Sequence, residues 1–310
     1  MTFEPAYLNL LRSGELARRV RAAYGHLERC DLCAHRCGVN RRETIRGAVC
    51  RTGERAVVSS YHLHFGEEAP LVGRGGSGTI FFAWCNLRCQ FCQNYEISQL
   101  GEGSPVEPEE IAAMMLHLQR EGCHNINLVS PSHVVPQILA AVWVAARAGL
   151  TTPLVYNTGG YDSPEALALL DGVIDIYMPD MKYADAATAR KYSKIREYPT
   201  INRAAVKEMH RQVGDLVLDD LGLAQRGLLV RHLILPDDLA GTREVLRFLA
   251  QKISPNAYLN LMDQYRPCYK ASEFPELNRR ITREEFENAV RWAEELGLNR
   301  LDERVLFRWI

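Results

Sequence analysis

The chain has 310 residues, 47% of them hydrophobic, enough for one large α/β domain of barrel size with a small appendage. Its 37 Lys and Arg against 38 Asp and Glu leave a net charge of −1, so nothing calls for a nucleic acid or an anionic membrane as partner. No apolar run approaches the roughly 20 residues of a membrane helix, and the opening MTFEPAYLNLLRSGELARRV lacks a basic start, an apolar stretch and a cleavage site, so a cytoplasmic location is the expectation.

Residues 1–70 read as an N-terminal helix and a Cys-rich metal-binding segment, and residues 71–310 as a barrel domain with a C-terminal extension. Seven of the nine cysteines lie between Cys30 and Cys92. An odd total, no secretion signal and gaps of two or three residues argue against a disulfide framework and for metal thiolates. In CDLCAHRCGVNRRETIRGAVC, Cys30, Cys33, Cys37 and Cys50 supply four thiolates, which suits a structural zinc or a rubredoxin-like iron. A second, auxiliary [4Fe-4S] cluster would be equally complete, although a single ion is the preferred reading. A metal supplies the stability that so little apolar content cannot. Arg36, Arg41, Arg42 and Arg46 make the unit basic, a solvated face or one suited to an acidic electron donor or protein substrate.

From about Gly78 onward, β-branched or aromatic runs alternate with amphipathic segments, the signature of βα units. The glycines of LVGRGGSGTIFF precede their strand instead of following it, so they read as a flexible lead and not as a phosphate loop. Strands are predicted at Thr79–Ala83, Asn125–Val129, Thr152–Tyr156, Val173–Met178, Leu228–Leu235 and Ala257–Met262. Helices are predicted at Pro108–Arg120, Val134–Ala148, Pro164–Leu170, Ala186–Lys194, Ile201–Val213 and Leu239–Lys252. A last helix follows a Thr282/Glu285 capping box and stops at Gly297. Six right-handed crossovers give an α/β fold, a partial (β/α)6 barrel whose chemistry sits in the loops after the strands.

Cys85, Cys89 and Cys92 stand in that position, directly after the first barrel strand in TIFFAWCNLRCQFCQNYEIS. Three thiolates this close in one loop can hold a [4Fe-4S] cubane and leave one iron open. A zinc knuckle would want a fourth ligand in a closed tetrahedron.

The triplet, with Phe91 just before Cys92, resembles the radical S-adenosylmethionine (SAM) superfamily. HFGEEAP, GSGTIFF, CQNYEISQ and NLMDQYRPCYKA are similar to its pyruvate formate-lyase activating enzyme-like subgroup, named by analogy with the glycyl radical activases. The resemblance implies a [4Fe-4S] cluster and SAM as cofactors, reductive cleavage of SAM, and hydrogen abstraction by a 5′-deoxyadenosyl radical. It further implies an electron donor such as flavodoxin or ferredoxin, and a protein or peptide substrate, a glycyl radical enzyme by analogy. Ser130 and Ser132 stand where the superfamily often has a Gly-Gly-Glu turn for the SAM amino group. Asn157 and Thr158 match the segment near the ribose and carboxylate, and Asp180 and Lys182 the Asp-x-Lys signature in which lysine neutralises the carboxylate. His232 is a further cofactor-binding candidate; it and Arg231 point to opposite faces of one strand, so at most one faces inward. Asp263, Gln264, Tyr265 and Arg266 are candidates for substrate contact, while Cys268 and Cys123 read as inert thiols. The competing classes are a non-radical Fe-S electron carrier and a zinc-stapled binding module.

Overall fold

The computed structural model describes residues 3–303; residues 1–2 and 304–310, the outermost parts of the two expected segments, lie outside the described residues. Helices α1 (Tyr7–Arg12) and α2 (Glu15–Gly25) open the chain, followed after the cysteine-rich turns by strand β1 (Ala56–His64), helix α3 (Ala69–Val72) and strand β2 (Ser77–Phe82). Strand β3 (Ser104–Val106) and helix α4 (Pro108–Arg120) lead to β4 (Ile126–Val129), α5 (Val135–Arg147), β5 (Leu154–Thr158), α6 (Pro164–Leu170) and β6 (Ile176–Pro179). Then come α7 (Ala186–Ser193), α8 (Tyr198–Val213), β7 (Val217–Leu218), β8 (Ala224–Leu233), α9 (Thr242–Lys252), β9 (Tyr258–Met262) and α10 (Arg283–Glu295).

Strands β2, β4, β5, β6, β8 and β9 run parallel, each paired to the next. They are the six expected strands with their ends moved by a few residues. The sheet does not close. Strand β9 pairs with β8, while the outer edge of β2 is taken by antiparallel β1, which in turn pairs with β3. These last two strands were not expected, because AVVSSYHLH alternates between buried and half-buried only over its first half and lies before the crossover pattern begins.

Helix ends follow local chemistry. Glu107 and Glu110 form a capping box at α4 with Pro108 at its first turn, and Thr282 and Glu285 do the same at α10. Gly297, at φ +77°, ends α10 as expected. Helix α5 is apolar nearly all round, and it is buried against α4, α2 and α1.

Side chains alternate along a strand with a period of two, and here each inward row changes character along its length. Val155, Ile176, Met178, Leu229 and Tyr258, joined by Leu71, Leu216 and Ala224, form an apolar cluster separate from the main core. One step further along the same rows stand Asn157, Asp180, Arg231 and Asn260, which line a cavity. The barrel is therefore plugged with hydrocarbon at one end and polar at the end where strands give way to loops.

The start of α8 fixes that polar rim. Asn202 Nδ2 donates to the carbonyl oxygens of Gly160 (3.1 Å) and Asp180 (2.9 Å), and the Tyr198 hydroxyl is shared between those of Gly159 (2.9 Å) and Asp180 (3.0 Å). Gly160 has φ +71°, and a Cβ there would run into Asn202 Nδ2 and the Asp180 carbonyl. Gly160→Ala is expected to destabilise the protein by at least about 2 kcal/mol, through left-handed strain plus overpacking, as read from chemical denaturation.

Candidate functional site

Beyond β2 the chain passes over the rim of the sheet at Ala83 and Trp84, with Trp84 in a left-handed conformation (φ +60°). Cys85, Cys89 and Cys92 follow, and all three line one cavity of about 430 Å³. Each sulfur has a polar neighbour: the Leu87 N–H donates to Cys85 Sγ (3.4 Å), Ser193 Oγ donates to Cys89 Sγ (3.0 Å), and the Ser98 hydroxyl lies 3.1 Å from Cys92 Sγ. Burial pushes all three thiols up, Cys92 to about 12, so without a cation they are neutral. Iron inverts that preference, since a coordinating thiol is deprotonated outright.

The opposite wall comes from the ends of β4, β5 and β6. Ser130 lines the cavity in a left-handed turn (φ +59°), followed by Asn157, Thr158 and Gly159, then Asp180 and Lys182. Lys182 Nζ is 2.5 Å from Asp180 Oδ2. Burial opposes the lysine's charge, but Asp180 and the nearby Cys89 outweigh it, so the ammonium is held well above its ordinary pKa.

A second charged group meets the cavity from the open seam of the sheet. Arg231, inward-facing on β8, donates through Nε and Nη2 to Glu68 Oε1 (2.5 Å) and Oε2 (2.7 Å), and through Nη2 to Glu67 Oε2 (2.5 Å). Its Nη1 reaches Asn157 Oδ1 (3.3 Å), and Asn260 Nδ2 on β9 donates to Glu68 Oε1 (2.7 Å). Glu67 also meets His64 Nδ1 at 2.9 Å. Burial would raise the Glu67 carboxyl, but Arg231 and His64 bring it down to about 2. The histidine is raised in turn, chiefly by its bond to Glu67.

Of the residues expected from sequence, the structure brings Cys85, Cys89, Cys92, Ser130, Asn157, Thr158, Asp180 and Lys182 to this cavity. The Thr158 hydroxyl is turned back to Asp162 Oδ2 (2.6 Å). Three candidates lie elsewhere and are corrected. Ser132 is buried behind the wall with its hydroxyl 2.9 Å from Thr158 Oγ1. Phe91 packs edge-on against Tyr265 in the core. His232 faces away from the cavity, between the Met181 carbonyl (2.6 Å) and Thr242 Oγ1 (3.0 Å), because its neighbour Arg231 takes the inward position. Gln264 lines the cavity, whereas the Tyr265 hydroxyl donates to the Leu277 carbonyl (2.6 Å). Glu67, Glu68 and Asn260 received no role from sequence, although they lie within HFGEEAP and NLMDQYRPCYKA. Their signal was an acidic pair beside an apolar turn, and an amide at an inward strand position.

The four N-terminal cysteines lie outside the lining of this cavity. Cys30, Cys33 and Cys50 are buried and Cys37 is half-buried. The Cys37 thiol donates to Cys30, which with the help of Arg41 brings Cys30 down to about 5 against its burial, while burial beside Cys50 pushes Cys33 up to about 12. The buried Arg41 donates to Cys30 Sγ (3.6 Å) and to the carbonyls of Thr52 and His133 (both 2.7 Å). Among the described residues, no three His, Cys, Asp or Glu side chains close on one point as a single metal ion requires, so the tetrahedral site expected at these cysteines is not drawn together. At Cys85, Cys89 and Cys92 a cubane asks something different, one thiolate at each of three irons. Three thiols on one cavity wall fit that demand.

Removing the guanidinium would leave two carboxylates buried without their partner. Arg231→Met is expected to cost roughly 3–5 kcal/mol, measured by chemical denaturation.

The model of the Radical SAM superfamily matches residues 79–249, more than half of the chain. The chain is 35% identical over 300 residues to the uncharacterized protein MJ0674 of Methanocaldococcus jannaschii, covering 94% of this chain and 82% of that one. Among solved structures it is similar to a radical SAM methyltransferase from Sphaerobacter thermophilus (13% identity, 72% of this chain and 64% of that one, TM-score 0.49). It is also similar to HydG, a maturase of the [FeFe]-hydrogenase (13% identity, 70% and 48%, TM-score 0.49). On the family match, the chain belongs to the radical SAM superfamily, whose members carry a [4Fe-4S] cluster and SAM.

Proposed function

We propose that this protein binds a [4Fe-4S] cluster through Cys85, Cys89 and Cys92, cleaves SAM reductively, and abstracts hydrogen from a substrate presented at the cavity mouth. The observation that carries this reading is the shared cavity: three cysteines on one wall, the Asp180–Lys182 pair and Asn157 on the other. When bound and reduced, the cluster supplies the electron that breaks the carbon–sulfur bond of SAM. This chain's residues bind and orient. Lys182 neutralises the SAM carboxylate, with Asp180 fixing the ammonium in place. Ser130 accepts from the SAM amino group, and Asn157, held by Arg231 Nη1, contacts the ribose side. The apolar plug behind Met178 and Leu229 keeps water out of the far end.

The motifs of the activase-like subgroup favour a glycine of a partner protein as the hydrogen source, with flavodoxin or ferredoxin as electron donor. Cys30, Cys33, Cys37 and Cys50 hold a second metal group, zinc or iron or a further cluster, in support of which stand their number and spacing and the buried Arg41 at Cys30 Sγ.

After anaerobic reconstitution, single alanine variants of Cys85, Cys89 and Cys92 are expected to lose about four irons and all 5′-deoxyadenosine formation; full product from any of them sinks the ligand assignment. Lys182→Ala should keep its iron and bind SAM roughly tenfold to a hundredfold more weakly, by equilibrium binding. Metal and sulfide analysis of a Cys30/Cys33 double alanine variant should show loss of the second metal alone; an unchanged inventory against the parent rules that site out.

A further inference from the structure

Helix α7 touches the cysteine loop at three points. The Tyr192 carbonyl accepts from Gln90 N (2.7 Å), the Ser193 carbonyl accepts from Arg88 N (3.1 Å), and Ser193 Oγ donates to Cys89 Sγ (3.0 Å). The two backbone contacts hold the loop, so the hydroxyl contact is not needed for that purpose. Ser193 Oγ is also 2.7 Å from the Tyr183 hydroxyl. A serine has one proton to give, and with that proton on Cys89 the tyrosine must be the donor to serine. The result is a directed chain, Tyr183 O–H to Ser193 O–H to Cys89 Sγ. It lies in a fully enclosed place: Ser193 is 0% exposed and Tyr183 2%. In such surroundings successive hydrogen bonds polarise one another, and water cannot replace them.

Hydrogen bonds to the sulfurs are among the levers that set the potential of an iron–sulfur cluster. Reduction adds negative charge to the cluster, and a donor aimed at a ligating sulfur stabilises the more negative state. We infer that Ser193, polarised by Tyr183, is a positioning residue that raises the reduction potential of the cluster through Cys89. The inference rests on Cys89 being a cluster ligand and goes beyond it, since ligand identity alone does not say what tunes the couple. Cys92 has its own hydroxyl neighbour in Ser98, whose oxygen accepts from the amide Gln99 Nε2 (3.0 Å), a weaker polarising donor than a phenol.

The test is an EPR-monitored redox titration of the reconstituted protein without SAM. Ser193→Ala removes the hydroxyl and keeps the carbonyl that accepts from Arg88, so the loop remains held. Its reduction equilibrium is expected to become roughly tenfold less favourable, a midpoint lower by about 59 mV for one electron, at parental iron and sulfide content. Tyr183→Phe leaves the serine in place and should move the midpoint in the same direction by less. An unchanged or raised midpoint in Ser193→Ala overturns the inference. If Ser193→Ala loads less iron than the parent, the Tyr183→Phe midpoint decides by the same two outcomes. In the parent, SAM should alter the EPR signal of the reduced cluster; its failure to do so would count against the radical SAM reading itself, a result distinct from any shift between parent and variants.

Discussion

The loop that carries Cys85, Cys89 and Cys92 can use few of its backbone groups in regular structure, yet much of it is buried, where unpaired N–H and C=O groups are costly. Its partners are therefore recruited from all over the fold. His35 donates to the Asn86 carbonyl (2.7 Å), Asn86 Nδ2 donates to that of Tyr161 (3.0 Å), and Lys270 N donates to that of Gln90 (2.9 Å). Arg88 N and Gln90 N are taken by the end of α7, and the Arg88 guanidinium reaches the Val49 carbonyl. The N-terminal unit, the rim after β5, helix α7 and the segment after β9 all converge on one short stretch. The geometry of the three sulfurs is thus a property of the whole chain.

The same contacts give the N-terminal unit a place in the site without bringing its cysteines into the cavity. His35, two residues after Cys33, meets Asn86, and Val49, next to Cys50, meets Arg88. These two bridges flank Cys85 and Cys89 directly. Arg41 extends the linkage by binding Cys30 and, through the His133 carbonyl, the turn after β4.

Charge inside the barrel is arranged in two groups of opposite construction. Asp180 and Lys182 form a local pair, two residues apart in sequence at the end of β6. Arg231 instead gathers Glu67 and Glu68 from the segment between β1 and β2, and Asn260 on β9 joins them, on the side where the sheet stays open. A buried arginine facing two carboxylates is stable only because each hydrogen-bonding site has a partner, and that requirement locks the seam segment to β8 and β9. It also delivers Asn157 to the cavity with its carbonyl oxygen already oriented.

Much of this was legible in the sequence because the determining patterns are local. The β-branched and aromatic runs gave six strands, the Thr282/Glu285 capping box gave the start of α10, and the spacing of Cys85, Cys89 and Cys92 after a strand gave the loop that lines the cavity. Asp180 and Lys182 were readable for the same reason, since a strand end delivers neighbouring residues to one rim. What the sequence could not decide were questions of facing and of long-range partnership. His232 and Arg231 were interchangeable until the register of β8 against β6 and β9 turned the arginine inward. Phe91 and Ser132 sat at plausible positions, but the packing of Tyr265 and the Thr158 hydroxyl claimed them. Glu67 and Glu68 acquired a role only when the seam beside β9 needed filling, and Ser193 only when α7 folded back onto the loop. Spacing along the chain determines which atoms are available for a site, whereas the closing of the sheet determines which of them meet, because contacts across many residues are set by the packing of whole elements and leave no periodic trace in sequence.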